Sequence, residues 1–433
     1  MGLDYGCPAA SCRKEHAKTA KNVLANFSGT VTIFHSRQIK SMAGRWQFSC
    51  NPLFFSNLFS GAIIRMSDIV SGVLKSTKKG SFVLRDPARS FRPGPGNCVV
   101  SQSLARKFAL VEGVSVTGKS QKTKGVLRLT SIESICGLAP EQFKKRTPYT
   151  RLVAIDPTER FNLAASGEAS MRIIDLVAPV GKGTRGLIVS PPKAGKTTLL
   201  KQIANAIRAD SPDTRIIVLL IDERPEEVTY FRREVDAEVL ASDIDHSIAE
   251  HIELAELTLA HVRTELECGK DVVVLVDSIT RMGRAFNRKG GQRNTRTMSG
   301  GLGEGAMQIP RKFFGMARNV ENGGSVTILA TVLVDTGSRM DQMIFEEFKG
   351  TGNSEIILDR SLAELRIFPA INLPASGTRK EERLYSPEDC QRIATLRRVL
   401  SGAEPREVMK SLMKLLDRYP TNADFLKSID VNR

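Results

Sequence analysis

No stretch of this sequence approaches the roughly 18 consecutive apolar residues of a membrane-spanning helix. The longest apolar runs, Ile216 to Ile221 and Val326 to Val334, have only strand length, so an integral helical membrane protein is excluded. A compact signal peptide is absent, and so is any internal repeat. The seven cysteines (Cys7, Cys12, Cys50, Cys98, Cys136, Cys268 and Cys390) are odd in number and scattered. That pattern argues against a secreted disulfide framework and for a reducing, cytoplasmic setting. Cys7, Cys12 and His16 have no evident fourth partner nearby, so a metal centre is not expected there.

Acidic residues are scarce in the first third of the chain. Residues 1–65 carry 8 basic and 2 acidic side chains, residues 66–150 carry 15 and 5, and residues 151–433 carry 40 and 40. The whole formal excess of +16 therefore lies ahead of residue 151. A basic module joined to a neutral body suits attachment to a polyanion, although such a charge run also describes a merely solvated face. What remains is ordinary for a globular protein: 433 residues, 41% apolar and 25% charged, enough for two or three domains.

Residues 1–65 show no sustained period and read as a basic extension. A disordered arm or sequence upstream of a start at Met66 is favoured over an organelle transit peptide. From residue 66 to 135, five short β-rich runs alternate with turn signals: Ile69 to Leu74, Ser81 to Leu84, Cys98 to Val100, Val114 to Thr117 and Val126 to Ile132. Five strands with strong positive charge predict a small all-β, oligonucleotide-binding barrel that takes single-stranded nucleic acid. Residues 136–180, with Pro140, Pro148 and Pro157, read as a connector wrapping onto the next domain.

Residues 181–433 alternate buried strands with amphipathic helices, the pattern of an α/β domain whose parallel sheet is covered on both faces. The predicted strands are Gly186 to Val189, Arg215 to Ile221, Asp271 to Val276, Ser325 to Val334 and Glu355 to Leu358. Ser190-Pro-Pro-Lys-Ala-Gly-Lys-Thr197 follows the first of them and opens a helix, as a phosphate-binding loop does. In such a loop backbone N–H groups surround the phosphates, Lys196 reaches the β/γ oxygens and Thr197 binds Mg²⁺. Ser190 stands where the usual pattern has its first glycine.

Asp277, after Val272 to Val276, suits the carboxylate that organises Mg²⁺. Glu223, just past Ile216 to Ile221, is either the base that polarises the attacking water or an ordinary strand-end acid. Asn287 to Gly303 contains Arg288, Lys289, Arg293 and Arg296 with several glycines and reads as a mobile basic loop. Thr336-Gly-Ser-Arg339 is a second short loop. Both are open to two readings, pore loops facing a polyanion or plain surface loops.

Eight segments carry a resemblance: Pro191 to Thr197, Ile221 to Val228, Asp277 to Arg281, Phe313 to Asn319, Asp335 to Ser338, Glu346 to Asn353, Phe368 to Ile371 and Ser376 to Glu381. Together they closely resemble the Rho family of bacterial transcription termination factors, from about Ile69 to the C-terminus. The resemblance implies a homohexameric ring with a RecA-like P-loop motor, ATP between subunits and RNA threading the centre. It implies nucleotide contacts from Gly181, Lys182, Gly183, Thr184, Arg185 and Gly186, from Lys193, Ala194, Gly195, Lys196, Thr197 and Thr198, and from Arg224, with Phe368 near the base. Glu223 becomes the catalytic base, and Arg366 and Arg379 act from the neighbouring subunit.

On the RNA side the resemblance implies an inner site at Arg296 and Arg339, where the family has lysines, and an outer site on the barrel. The outer positions are Gly80, Ser81, Phe82, Val83, Leu84, Arg85, Asn97, Cys98, Val99, Lys122 and Lys124. Here the sequence departs from the family: Gly80-Ser-Phe-Val-Leu-Arg85 replaces a segment with two stacking aromatics, and Val99 replaces another. A stacked base is worth roughly 1–3 kcal/mol, so a more electrostatic and less pyrimidine-selective outer site is expected. Phe82 is shifted by one residue, which on a strand reverses its face and points it to the core.

The expected function is ATP-driven RNA translocation that terminates transcription, with single-stranded RNA, the RNA polymerase elongation complex and further copies of the chain as partners. Two rivals remain: a catalytic subunit of a rotary ATP synthase, and an RNA-binding protein whose motor is inactive. The first has no use for the basic loop or the +10 barrel, and the second is disfavoured by the presence of Lys196, Thr197, Glu223, Asp277 and Arg379.

Overall fold

The computed structural model describes residues 68–430, apart from 78–79, 95–96, 292–300, 304 and 403. The extension expected over residues 1–65 and the expected RNA contact Arg296 lie outside the described residues.

All five expected barrel strands are present: β1 (Asp68–Ser76), β2 (Phe82–Arg85), β3 (Cys98–Val100), β4 (Ser115–Thr123) and β5 (Val126–Ile135). They close in the order β1-β2-β3-β5-β4, with β4 returning to β1. The two-residue period sends Leu74, Leu84, Cys98, Val100, Val116 and Leu129 into one apolar interior. Lys119 to Thr123, beyond the expected run Val114 to Thr117, is the polar end of β4 paired with β5. The turn shrinks to Lys124 and Gly125, both at positive φ (50° and 80°), as a two-residue hairpin of this twist demands. A short helix α1 (Gln102–Lys107) also went unforeseen; Ser101 caps it by accepting from the Leu104 N–H at 3.2 Å.

The connector carries α2 (Pro140–Lys144), β6 (Ala154–Ile155) and α3 (Ala169–Val177). Helix α3 is buried from Ser170 to Val177, and Ile173, Ile174, Leu176 and Val177 join the core of the α/β domain. The domain therefore begins before Gly181, because its own sheet needs α3 to cover it.

That sheet contains β7 (Arg185–Ser190), β8 (Arg215–Glu223), β9 (Glu238–Asp243), β10 (Val272–Asp277), β11 (Arg318–Val320), β12 (Ser325–Leu333), β13 (Ser354–Ile357) and β14 (Gly377–Thr378). Its order is β14-β13-β7-β12-β10-β8-β9, with β11 joining β12 to β6. The strands from β13 to β9 are mutually parallel. Alternate residues feed two cores: Ile188, Val218, Leu220, Val273 and Leu275 on one face, Val189, Leu219, Ile221, Val274 and Val276 on the other. Covering both faces are α4 (Lys196–Asp210), α5 (Pro225–Glu234), α6 (Ile248–Glu267), α7 (Ile279–Gly291), α8 (Gln308–Phe314), α9 (Arg339–Lys349), α10 (Arg360–Glu364), α11 (Pro387–Leu400), α12 (Pro405–Leu416) and α13 (Asn422–Lys427). Ser386 and Thr421 cap α11 and α13 by accepting from the Asp389 and Asp424 N–H groups, each at 3.1 Å. Ser247 and Glu250 form a capping box at α6.

The barrel sits on α6 through a glycine. The Gly113 carbonyl accepts from His261 Nδ1 at 2.7 Å and Thr264 Oγ1 at 3.1 Å, all three buried. Its φ is +91°, and a Cβ there would lie 2.3 Å from the Ala260 carbonyl carbon, so only glycine allows this approach. Ser90 adds a second tie by accepting from the Ala241 N–H at 2.9 Å.

Candidate nucleotide site and nucleic-acid surfaces

Parallel pairing brings the ends of β7, β8, β10 and β12 to one edge of the sheet, so Ser190, Glu223, Asp277 and Leu333 converge. The loop after β7 turns through Lys193 (φ 66°) and Gly195 (φ 94°) into α4. Left-handed residues in succession aim N–H groups into a concavity, and the helix N-terminus adds its partial positive charge. Ser190 ends β7 outside the left-handed region, which explains why a glycine is not needed there.

Lys196 opens α4 and its ammonium lies 2.6 Å from Asp277 Oδ2, 3.3 Å from Glu223 Oε1 and 3.6 Å from Glu227 Oε2. Burial works against the charge on Lys196, but Asp277, Glu223 and Glu227 outweigh it and its pKa rises. Asp277 is wholly buried and its other oxygen accepts from Thr331 Oγ1 at 2.7 Å. Glu223 is buried too, and an ion pair with Arg281 Nε at 3.0 Å holds its carboxylate. Burial and then the charge of Asp277 push the pKa of Glu223 up, against the pull of Lys196 and Arg281. A carboxylate whose pKa is raised is a stronger proton acceptor than an ordinary glutamate.

Thr197 Oγ1 donates to Glu227 Oε2 at 3.1 Å. One hydroxyl and one buried carboxylate, Thr197 and Asp277, fit a hard divalent ion that takes its remaining ligands from phosphates and water. No group of three or more His, Cys, Asp or Glu side chains suited to a metal occurs among the described residues. Beside the loop a pocket of about 440 Å³ is lined by Gly195, Thr198, Leu199, Gln202 and Phe368. Phe368 is 44% exposed, and its ring would lie 3.6 Å from a Cβ placed on Gly195. Lys193 and Ala194 also border this pocket. Arg224, the N-cap of α5, is exposed beside Glu223.

Gly181 to Gly186 do not join this cluster. They enter β7 at the opposite edge of the sheet, one strand of roughly 17–20 Å away from the phosphate loop. There the Gly183 N–H donates to Thr327 Oγ1, the Gly181 N–H to Thr184 Oγ1, and Lys182 pairs with Glu159 and Asp271. Within one chain the strand stands between these residues and the phosphate loop. Arg379 shares that far edge, its N–H donating to Asn353 O at 2.7 Å while Asn353 Oδ1 accepts from the Arg185 N–H. It is exposed there, so it too is out of reach of its own chain's loop. Arg366 is different: it is exposed two residues before Phe368, on the loop-bearing edge.

On the barrel, pairing lines up Lys75, Val83, Val99, Arg128 and Gln121 as a row across all five strands. Val83 and Val99 occupy it where aromatic platforms were missed in the sequence. Leu84 and Cys98 point the other way and are buried, and Phe82 packs against the same interior. Leu84 and Cys98 thus face the interior, and Phe82, partly buried, leans on it from the same face of β2. Arg85 is half-buried and lies 3.9 Å from Glu253 of α6. Lys122 and Lys124 are exposed at the β4–β5 hairpin; Gly80 (φ +72°) and Ser81 precede β2, with the Gly80 carbonyl accepting from Gln102 Nε2 at 2.6 Å, and Asn97 precedes β3 across from Arg85 at the other end of β2. Arg339, exposed, begins α9 on the loop-bearing edge, where Ser338 caps the helix.

Arg281, Glu227 and Thr331 escaped assignment. Closeness in sequence was the available signal for two of them, since Arg281 and Glu227 lie in the first turn of the helices that follow Asp277 and Glu223.

A phosphate loop on a parallel sheet, with buried acids ending two further strands, defines a RecA-like P-loop ATPase. Residues 170–378 match the model of the ATP synthase alpha/beta family, nucleotide-binding domain. Among solved structures the chain is similar to a prototypical ATPase from the type III secretion system of pathogenic bacteria (TM-score 0.54, 23% identity, 66% of this chain and 86% of that one). It also resembles an assembled type III secretion ATPase from enteropathogenic E. coli (TM-score 0.53, 19% identity, 84% and 95%); both show the fold alone. Curated relatives are closer. Transcription termination factor Rho of Aquifex aeolicus is 47% identical over 372 residues, covering 83% of this chain and 84% of that protein. Rho of Chromobacterium violaceum is 43% identical over 398 residues, covering 86% and 95%. The chain belongs to the transcription termination factor Rho family.

Proposed function

We propose that this protein is a Rho-type termination factor: an RNA-dependent ATPase that assembles as a ring, threads single-stranded RNA and acts on the transcribing polymerase. The observation that carries the reading is the division of one ATPase centre between the two edges of the sheet. Lys196, Thr197, Glu223 and Asp277 meet at one edge, while Arg379 and Gly181 to Arg185 stand at the other. Stacked side by side, each copy offers its far edge to the loop of the next, so ATP bound there meets residues of two chains.

The loop N–H groups and Lys196 hold the β and γ phosphates. Binding draws Lys196 off the carboxylates it now neutralises, which leaves Glu223, still fixed by Arg281, free to take a proton from the attacking water. Thr197 and Asp277 would hold a Mg²⁺, which would supply charge neutralisation at the phosphates. Arg379 of the neighbouring copy then stabilises charge on the departing phosphoryl group, and Arg366, from the loop-bearing edge, adds a second cation. RNA enters over the barrel row and the hairpin lysines and continues past Arg339 and Arg296.

Phosphate release is the direct test, measured without nucleic acid, with C-rich RNA, with mixed RNA and with single-stranded DNA, using Lys196→Ala as the blank. RNA-dependent turnover lost in Lys196→Ala supports the reading. Turnover indifferent to RNA points to an uncoupled ATPase, and RNA binding with no turnover points to an inactive motor.

A further inference from the structure

The pocket beside the phosphate loop ends in a polar corner. Its walls are apolar: Leu199 and Ala370 are buried there, and the exposed ring of Phe368 lies against Gly195. At the corner stand Glu168 and Ser170, where α3 begins, and Gln202 of α4. Gln202 lies six residues beyond Lys196. At 1.5 Å per residue that is about 9 Å along α4 from the helix end that faces the phosphates. A nucleotide with its phosphates on the loop and its base against Phe368 thus carries the base toward this corner.

The three polar side chains bond to one another in a fixed direction. The buried Ser170 Oγ donates to Gln202 Oε1 at 2.7 Å, and Gln202 Nε2 donates to Glu168 Oε2. An ionised carboxylate only accepts, so Glu168 sets which way round the Gln202 amide sits. Among the described residues, no other side chain bonds to Glu168 Oε1 or to the second hydrogen on Gln202 Nε2. Glu168 is exposed and Gln202 half-buried, so both spare groups can be reached from the pocket. The corner therefore offers one acceptor beside one donor.

Adenine presents the matching pair. Its exocyclic N6 donates, and the ring nitrogen on either side of N6 accepts. Guanine and hypoxanthine carry an oxygen in place of N6, which would set its lone pairs against those of the carboxylate. Phe368 cannot make this distinction, because every base has a face on which a ring can stack. We infer that Glu168 and Gln202 read the exocyclic edge of the base and make the pocket select adenine over 6-oxo purines, an inference that rests on the nucleotide reading of the loop proposed above. Glu168 Oε1 takes the N6 hydrogen and Gln202 Nε2 donates to the ring nitrogen. Ser170 is a positioning residue that holds the Gln202 amide from behind.

The experiment is calorimetric titration of the full chain with ADP and with IDP, in the presence of Mg²⁺ and without RNA, so that no hydrolysis or RNA response enters the readout. The original chain should bind ADP about tenfold or more tighter than IDP, the yield of one hydrogen bond to a charged acceptor. Glu168→Ala and Gln202→Leu, checked for fold by circular dichroism, should shrink that ratio to about threefold or less. Glu168→Gln puts a group able to donate in place of the carboxylate, so it should bind IDP more tightly than the original chain does, a gain that a merely structural role for Glu168 would not produce. Lys196→Ala should weaken both nucleotides alike and leave their ratio unchanged. An ADP to IDP ratio near one in the original chain, or the same ratio in Glu168→Ala as in the original, would overturn this inference while leaving the nucleotide site intact. Absence of ADP binding, or binding indifferent to Lys196→Ala, would overturn both readings together.

Discussion

Lys196 and Asp277, 81 positions apart in the chain, meet at 2.6 Å, and Thr331 holds the other oxygen of the same carboxylate. Under the proposed function, the ammonium that would serve the phosphates is parked on the acid that would organise the metal, and nucleotide would compete with that pair, tying occupancy of the loop to release of Glu223.

Glu223→Gln should lower the turnover number by a factor of about 10²–10⁴ while leaving affinity for ATP nearly unchanged. In the unsubstituted chain the rate should fall as pH drops through the raised pKa of Glu223, above the usual glutamate value of 4.5. Stability should run the other way. A carboxyl whose folded pKa lies above its unfolded value loses stabilisation as pH rises through the folded value. Glu223→Gln should therefore melt no lower than the original chain at pH 7. A clear drop in melting temperature would mean that its pairs with Lys196 and Arg281 outweigh its burial.

Arg379→Ala and Lys196→Ala should each be inactive alone, because each destroys one edge of every composite site. Mixed before assembly, they should recover a fraction of the original phosphate release, since some sites then pair an intact loop with an intact Arg379. A mixture as silent as its parts would place Arg379 outside the hydrolysis site.

Gly113→Ala puts a side chain at φ +91° and 2.3 Å from the Ala260 carbonyl carbon. A cost of about 3 kcal/mol in denaturant unfolding is expected, by strain and by loss of the bonds to His261 and Thr264. Unchanged stability would show that the seat of the barrel is soft.

Val99→Tyr adds a platform to the Lys75–Val83–Val99–Arg128 row. Binding of short single-stranded RNA should tighten by the about 1–3 kcal/mol of one stacked base, roughly 5- to 150-fold. The slope of affinity against salt should stay constant, because no charge is gained. Equal affinity of the two proteins at every salt concentration would remove this row from the RNA path.

The strands of the sheet were legible because continuous apolar runs such as Ile216 to Ile221 allow few other readings, and the phosphate loop because it sits between such a run and a helix. β9 was missed: its apolar stretch is only Val239 to Ala241, and parallel pairing with β8, not periodicity, makes it a strand. Lys119 to Thr123 lay beyond the expected run because an exposed hairpin end buries almost nothing and leaves no apolar alternation to read. The placement of Gly181 to Gly186 was hidden for a geometric reason. Closeness in sequence to Lys193 hides a whole strand between them, and only the sheet shows that the two segments lie on opposite edges. The partners of Glu223 came from α4 and α7, and such convergence belongs to topology, not to any local pattern.

The closure of β1 onto β4 has a consequence for crowding. Strand edges with unspent N–H and carbonyl groups invite foreign strands, and that is a common route to aggregation when many copies are held together. A closed five-stranded barrel leaves no such edge to recruit a neighbour. At the far side of the large sheet the last strand, Gly377–Thr378, is only two residues long, too short to template growth. At the opposite border β9 is six residues long, and its Ala241 N–H is already taken by Ser90 of the barrel, so the barrel covers part of the edge that remains.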